Sequence, residues 1–321
     1  MSIRHLINKR NFLRAASRVL YAVDRSSKKD FYAYYQKYKE HYLVCQRERR
    51  AGTEFVIPVW ATLVTDIEDD FINHFDHSFL KHPVIRRTMF MDYGGALQDQ
   101  QLQYLESQWD KEDLKRLLKE TSVGNPTITN FTYRTSHNTI HHLHHLTAFS
   151  EEMRVKLHDL KQVVEWGGGY GNLARIFLNI NPHATYVMID IPVFAFLQAV
   201  YLATIFGDRK IHLLTRVGDQ IKPEYINIIP LNKNVLEQLT VTHTDLFVST
   251  WALSESSREA QTFVESRSFF NARYLLIAHQ AASEETPYAE EVANHLGSYA
   301  VTYHQKIPLL KNNYYLFAAR K

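Results

Sequence analysis

The spacing of apolar residues along the chain changes near residue 150. Before that point apolar positions recur every three or four residues, which is typical of amphipathic helices. The predicted helices cover 30–50, 59–80, 95–120 and 136–157. Beyond residue 160, short apolar runs rich in β-formers alternate with helical stretches. The pattern therefore predicts two domains, a helical N-terminal domain at 1–150 and an α/β domain at 151–321.

The α/β part contains a regular series of predicted strands. They cover 161–166, 185–190, 245–250 and 274–280, and a fifth lies at either 210–214 or 225–230. We favour 225–230, because a helical stretch follows it directly. Alternating strands and helices predict a parallel sheet with helices on both faces. Runs at 299–307 and 312–321 predict a C-terminal antiparallel hairpin, which completes a doubly wound, Rossmann-like, seven-stranded sheet, and a last helix is predicted at 290–297.

Composition excludes several classes of protein. Of the 321 residues, 45% are hydrophobic and 22% are charged, as in ordinary folded proteins. The single cysteine, Cys45, excludes a disulfide scaffold and a zinc site built on paired cysteines. No uncharged apolar run reaches the roughly 18–20 residues that span a bilayer, and no signal-peptide pattern is present. We therefore expect a reduced, cytoplasmic protein.

Positive charge is concentrated at the start of the chain. The net charge is +3, and residues 1–50 carry 13 Lys and Arg against 4 Asp and Glu. Residues 1–23 contain no acid and have the spacing of a basic amphipathic helix. A surface helix docked on the protein is the simplest interpretation; peripheral contact with an anionic membrane, a transit peptide and a nucleic-acid contact are the alternatives. The acidic balance of the remaining chain argues against a broad nucleic-acid-binding face.

Four of the eleven glycines fall within five residues, between a predicted strand and a predicted helix. They are Gly167, Gly168, Gly169 and Gly171. The dinucleotide spacing G-x-G-x-x-G is absent, as is the Gly-Lys-Ser/Thr ending of a P-loop. The string instead reads E-x-G-x-G-x-G from Glu165. A carboxylate beside the loop would repel a phosphate and suits a cationic ligand better.

A second acid, Asp190, ends the next strand, where doubly wound sheets contact ribose hydroxyls. Acid, glycine loop and acid at these spacings predict a site for S-adenosylmethionine (SAM). The predicted cofactor contacts are Glu165, Gly167, Gly168, Gly169, Gly171, Asp190, Ile191 and Thr250. A fold that has lost its ligand and a dehydrogenase with an irregular loop are the alternative interpretations.

The segments VVEWGGGYGNLARIF and YVMIDIPVFAFLQAVYLA resemble the sugar O-methyltransferase family, which belongs to the class I SAM-dependent methyltransferases. The resemblance is specific over 160–206, and weaker at DLFVSTWALSE and at the GNP of 124–126. It implies methylation of a sugar hydroxyl, often in polysaccharide assembly. It also implies that Glu165, the loop glycines and Asp190 contact SAM and that Glu255 is an active-site residue.

The acceptor atom is predicted to be oxygen. The stretch after the strand at 245–250 lacks the Asn/Asp-Pro-Pro-aromatic loop of adenine and cytosine N-methyltransferases, and no cysteine nucleophile lies nearby. A hydroxyl needs a general base, and the candidates are Glu255, His141 and His279. Glu255 could equally cap the following helix, and His279 could equally be a packed histidine.

Five histidines lie between residues 137 and 145. On a helix, His137, His141 and His145 share one face at intervals of four residues. A polar helix face, a single catalytic histidine and a metal site are the three interpretations, and no metal ligand is assigned. The favoured function is a SAM-dependent O-methyltransferase for a sugar or glycoconjugate, with the helical domain covering the acceptor. A methyltransferase for a small natural product and a non-catalytic SAM-fold binding protein are the alternatives.

Overall fold

A computed structural model describes residues 25–47, 53–91 and 93–321. The basic helix predicted for residues 1–23 lies outside these residues, so its role stays a prediction. None of the described helices is long and apolar enough to cross a membrane.

The described N-terminal region is helical, as predicted. Its helices are α1 (Arg25–Arg47), α2 (Pro58–Asn73), α3 (Pro83–Thr88), α4 (Ala96–Gln108), α5 (Lys111–Leu118) and α6 (His137–Met153). The single helix predicted at 95–120 is two helices, because Asp110 caps α5 by accepting hydrogen bonds from the backbone N–H groups of Glu112 and Asp113. The helix predicted at 59–80 likewise ends at Asn73, and α3 follows it separately.

The α/β part forms one mixed sheet. Its strands are β1 (Gln162–Trp166), β2 (Thr185–Asp190), β3 (Ile211–Leu213), β4 (Ile226–Pro230), β5 (Thr244–Thr250), β6 (Ala272–Gln280), β7 (Tyr299–Lys306) and β8 (Asn313–Arg320). Its helices are α7 (Asn172–Ile180), α8 (Pro192–Phe206), α9 (Lys233–Gln238) and α10 (Arg258–Ser266). The strand order is β3-β4-β2-β1-β5-β6-β8-β7, and β8 alone runs opposite to the other strands. The doubly wound, Rossmann-like fold with a C-terminal hairpin is confirmed.

The predicted number of strands was wrong. Both alternatives for the fifth strand form strands, and they pair with each other from Ile211 opposite Ile226, which makes eight strands in total. The run at 210–214 is easily missed because β3 has only three residues and lies at the edge of the sheet. The helix predicted at 290–297 is a single 3₁₀ turn at Glu291–Ala293.

Alternate residues of the strands pack into two hydrophobic clusters, one on each face of the sheet. Val163 belongs to the cluster that includes α6, α7, α8 and the N-terminal helices. Its neighbour Val164 belongs to the cluster that includes α9 and α10. The first cluster runs without interruption from the N-terminal helices to the sheet, and the division near residue 150 stays a prediction. The N-terminal helices thereby lie close to the carboxyl ends of β1 and β2.

Candidate functional site

A cleft of about 450 Å³ opens at the carboxyl ends of β1, β2 and β5. The chain leaves β1 towards β2 on one side and returns to β5 on the other, so this is the topological switch point at which open α/β sheets bind ligands. The cleft has the size typical of small-molecule sites, about 300–1,000 Å³. Residues of α2, α6 and the segment around α3 form its remaining walls.

The glycine loop forms the floor of the cleft. Gly167 has a φ of 76°, and a Cβ added there would overlap the Cβ of Ala252. At Gly168 an added Cβ would lie 3.0 Å from Glu165 Oε2. A side chain is therefore excluded at Gly167, whereas at Gly168 it would require neighbouring side chains to move, and the loop backbone faces the cleft.

Gly171 has a different place from the other loop glycines. It is the N-cap of α7, has a φ of 95° and would bring an added Cβ within 3.3 Å of Leu202 on α8. Gly167, Gly168 and Gly169 line the cleft, whereas Gly171 is not among the lining residues. Gly171 therefore turns the chain and lets α7 pack closely on α8, and its contact with a cofactor stays a prediction.

Asp190 ties the glycine loop to the end of β2. Its Oδ2 atom accepts hydrogen bonds from Gly169 N at 3.0 Å and Gln198 Nε2 at 2.7 Å, and Oδ1 accepts from Ile191 N at 2.8 Å. Burial outweighs these bonds and raises the pKa of Asp190 to about 7. Gln198, which sequence reasoning missed, also donates to Gly169 O at 2.9 Å. These three donors leave Asp190 with acceptor capacity for a ribose hydroxyl, because an ionised carboxylate has about four lone-pair sites.

Glu165 lies beneath the loop and is 1% exposed. Its Oε2 atom accepts a hydrogen bond from the Tyr186 hydroxyl at 2.9 Å. Burial, together with the nearby negative charge of Asp190, raises the pKa of Glu165 to about 8. A cation bound in the cleft would favour the ionised form, so the position suits a positively charged ligand.

Glu255 follows β5 and faces the same cleft. Its Oε2 atom accepts from Trp60 Nε1 at 3.1 Å, and its Oε1 atom accepts from Gln280 Nε2 at 3.2 Å. Burial raises the pKa of Glu255, while the two hydrogen bonds oppose that shift. A carboxyl group with a raised pKa beside a ligand cleft has the properties of a general base.

Trp251 forms the wall beyond β5. Its backbone has a φ of 69°, and its indole ring stacks on the His141 ring with 5.6 Å between centroids and 20° between planes. The indole Nε1 donates to Asn313 Oδ1 at 2.5 Å. Thr250 and Ile191, two predicted cofactor contacts, also line the cleft.

The five histidines lie on α6, and the predicted shared face is present. The His137 and His141 ring centroids are 6.2 Å apart, and those of His141 and His145 are 4.1 Å apart. Burial lowers the pKa of all five, to about 3 for His142 and about 4 for His144. The cluster is therefore neutral near pH 7. In the part of the chain that the structure describes, no group of three or more histidine, cysteine or acidic side chains is arranged to hold a metal ion.

His141 reaches the cleft, whereas His279 does not. His141 lines the cleft through its ring and exchanges a hydrogen bond with the Gln101 carboxamide through Nδ1. His279 stacks on Tyr314 with 5.4 Å between centroids, and its Nε2 atom is 3.1 Å from His304 Nε2. Successive strand residues face opposite sides, so Gln280 and not His279 points into the cleft. His279 therefore does not line this cleft, and its role as a base stays a prediction.

Comparisons with known proteins give distant structural matches only. No protein-family model and no curated protein sequence matches the chain. The similar solved structures include the pyocyanin biosynthetic protein PhzM, with 16% identity, a TM-score of 0.38 and 58% of each chain covered. The mitomycin 7-O-methyltransferase MmcR has 11% identity and a TM-score of 0.37 over 56% of this chain and 54% of its own. The chain thus spans less than two thirds of the length of both proteins.

A third match covers more of the chain. Magnesium protoporphyrin IX methyltransferase (ChlM) from Synechocystis PCC 6803, solved with bound SAM, has 13% identity and a TM-score of 0.40. It covers 71% of this chain and 99% of its own. The fold described above rests on the strand order and the loop geometry of this chain, independently of these matches.

Proposed function

We propose that the chain is a SAM-dependent O-methyltransferase that acts on a hydroxyl of a sugar or glycoconjugate. One observation carries the proposal: the glycine loop, Asp190 and Glu255 face a single cleft of about 450 Å³ at the switch point of a doubly wound sheet. The resemblance of residues 160–206 to sugar O-methyltransferases supports the same activity.

The residues around the glycine loop fit SAM in shape and charge. Gly167, Gly168 and Gly169 leave room for a ligand directly against the backbone, and Glu165 lies below them. Asp190 is the candidate acceptor for ribose hydroxyls, and Ile191 and Thr250 flank the cleft on either side. When bound, SAM supplies an electrophilic methyl group carried on a positively charged sulfur.

Glu255 is the proposed general base. The pKa of Glu255 is raised towards neutral pH compared with that of an ordinary glutamate. Its side chain lines the cleft that would hold the acceptor. A hydroxyl placed against Glu255 would lose its proton to the carboxylate as the oxygen is methylated. Positioned bases of this kind contribute about 10²–10⁴-fold to rates. His141 is the weaker candidate, because its pKa lies well below the usual value.

The walls of the cleft combine aromatic faces with hydrogen-bonding side chains. Trp60 and Trp251 supply aromatic surface, and Asn138, Gln280 and Asn313 supply amide donors and acceptors. Sugars present both apolar ring faces and hydroxyl groups, so this combination supports a sugar acceptor. The run Met89, Phe90 and Met91, together with Phe194, is apolar and favours the alternative, a small aromatic natural product.

Transfer of labelled methyl groups tests the proposal. The purified protein is incubated with methyl-tritiated SAM and two acceptor pools, one of nucleotide sugars and oligosaccharides and one of phenolic natural products. We expect label in the sugar pool, and its loss in Glu255→Gln. Label only in the phenolic pool would favour the alternative acceptor, and tight SAM binding with no transfer to either pool would favour a non-catalytic binding protein.

A further inference from the structure

Each carboxylate oxygen of Glu255 is held by a donor from a different part of the chain. Trp60 belongs to α2 in the N-terminal region and donates to Oε2 at 3.1 Å. Gln280 ends β6 and donates to Oε1 at 3.2 Å. The contact with Trp60 joins residues 195 positions apart in the sequence.

Both donors are themselves fixed in place. Gln280 Oε1 accepts a hydrogen bond from Ser254 Oγ at 3.0 Å, which directs the amide nitrogen towards Glu255. The Trp60 ring packs edge-on against Phe194, with 5.9 Å between centroids and 86° between planes. These contacts orient the two donors, so the carboxylate has one preferred position.

The chain just before α2 is joined to the turn that carries Glu255. Val56 forms an antiparallel bridge with Ser256. Ser257 N donates to Phe55 O at 3.2 Å, and Ser257 Oγ donates to Glu54 O at 2.6 Å. The N-terminal region is therefore attached within two residues of Glu255.

The chemistry of the two donors bears on the protonation state of Glu255. An indole N–H only donates, and the Gln280 amide nitrogen only donates, so both oxygens of Glu255 act as acceptors. A protonated carboxyl group is a weaker acceptor for both donors, so the two hydrogen bonds favour the ionised form. We propose that Trp60 and Gln280 are positioning residues that hold Glu255 as an ionised carboxylate facing the cleft. The N-terminal region thereby supplies part of the candidate active site.

This inference rests on the proposed role of Glu255 as the base. The other titratable and charged side chains lining the cleft are Arg86, Arg87, Tyr93, His141, His142, Glu165, Tyr170 and Asp190. Apart from burial, the influences that shift the pKa of Glu255 are the hydrogen bonds from Trp60 and Gln280. Removing either donor should therefore make Glu255 easier to protonate.

The test is an infrared pH titration of full-length protein. The wild type and each variant are also prepared with Glu255→Gln added. The difference between the two spectra of each pair isolates the carboxyl band of Glu255. In Trp60→Phe we expect the titration midpoint to rise by about one pH unit or more, the size expected when a hydrogen bond to a buried charge is lost. Trp109→Phe is the matched control, because Trp109 Nε1 donates to Thr147 Oγ1 at 2.9 Å, outside the cleft.

Gln280→Met removes the second donor with little change in volume and should also raise the midpoint. If Trp60→Phe does not fold, as judged by circular dichroism, Gln280→Met decides the question. An unchanged midpoint in the folded variants, or an equal rise in Trp109→Phe, would overturn the proposal. Binding of S-adenosylhomocysteine (SAH) is measured on the same wild-type sample, so failure of the proposed function is recorded separately from the titration of Glu255.

Discussion

Gly167 is the position where the loop geometry makes the sharpest energetic prediction. Its φ of 76° disfavours any residue with a Cβ, and an added Cβ would overlap that of Ala252. Gly167→Ala therefore introduces both backbone strain and a steric clash. Strain of this kind costs about 1–2 kcal/mol, and forced overpacking costs about 1–3 kcal/mol. We expect the free energy of unfolding to fall by about 2–5 kcal/mol.

Three further variants, one of them the single change Ala252→Gly, separate the two causes. Gly297 has a φ of 55° and open space around its Cβ position, so Gly297→Ala should show the strain alone, about 1–2 kcal/mol. The double variant Gly167→Ala/Ala252→Gly removes the overlap and keeps the strain. It should therefore be more stable than the sum of the two single changes predicts, by about 1–3 kcal/mol.

Urea unfolding followed by circular dichroism is applied to the wild type, the three single variants and the double variant. The geometry of the loop would be refuted if Gly167→Ala lowered the free energy of unfolding no more than Gly297→Ala does. It would also be refuted if Ala252→Gly destabilised the wild type and the Gly167→Ala variant equally, because the two sites would then be independent.

Two other predictions concern buried charge. Arg175 and Glu120 form an ion pair of 3.6 Å, with side chains 1% and 3% exposed, so Arg175→Met should cost about 3–5 kcal/mol by leaving a carboxylate buried. Arg116 pairs with Asp113 on the exposed surface, so Arg116→Met should lower the free energy of unfolding by at most about 1 kcal/mol. Equal losses for Arg175→Met and Arg116→Met in urea unfolding would contradict this reasoning. Burial lowers the pKa of His142 to about 3 and that of His144 to about 4, whereas both have a pKa of about 6.5 in the unfolded chain. Below about pH 6.5 the unfolded chain therefore binds more protons than the folded protein, and the free energy of unfolding falls as the pH falls. Replacing both with glutamine should reduce the loss of stability between about pH 7 and about pH 5, and an unchanged slope would show that these histidines titrate normally.

The sequence was most informative where local geometry and chemistry coincide. A glycine run between a strand and a helix indicates a tight turn, and Asp190 ends the next strand. Because adjacent parallel strands end at the same edge of a sheet, the sequence predicted that the loop and Asp190 lie close together. The hydrogen bonds of Asp190 to Gly169 and Gln198 did not follow, because they depend on how α8 packs on the loop.

Other features depended on contacts that spacing alone does not encode. His279 and Gln280 end the same strand, and which of them faces the cleft is set by the strand's register in the sheet. With the register known, two-residue alternation would have selected Gln280. No sequence pattern marked Trp60 as a site residue, because its hydrogen-bond partner Glu255 lies far away in the sequence, in the α/β part of the chain. The short β3 was predicted only as the less favoured alternative, because an edge strand of three residues has too few positions to show a period.

Calorimetric titration with SAH tests the proposed cofactor site most directly. The wild type is compared with Asp190→Ala and with Asp208→Ala, whose carboxylate binds Lys37 at 2.7 Å and does not line the cleft. We expect micromolar binding to the wild type and to Asp208→Ala, and markedly weaker binding to Asp190→Ala. Absence of SAH binding to the wild type, or equal affinity in all three proteins, would contradict a cofactor site at the glycine loop and Asp190.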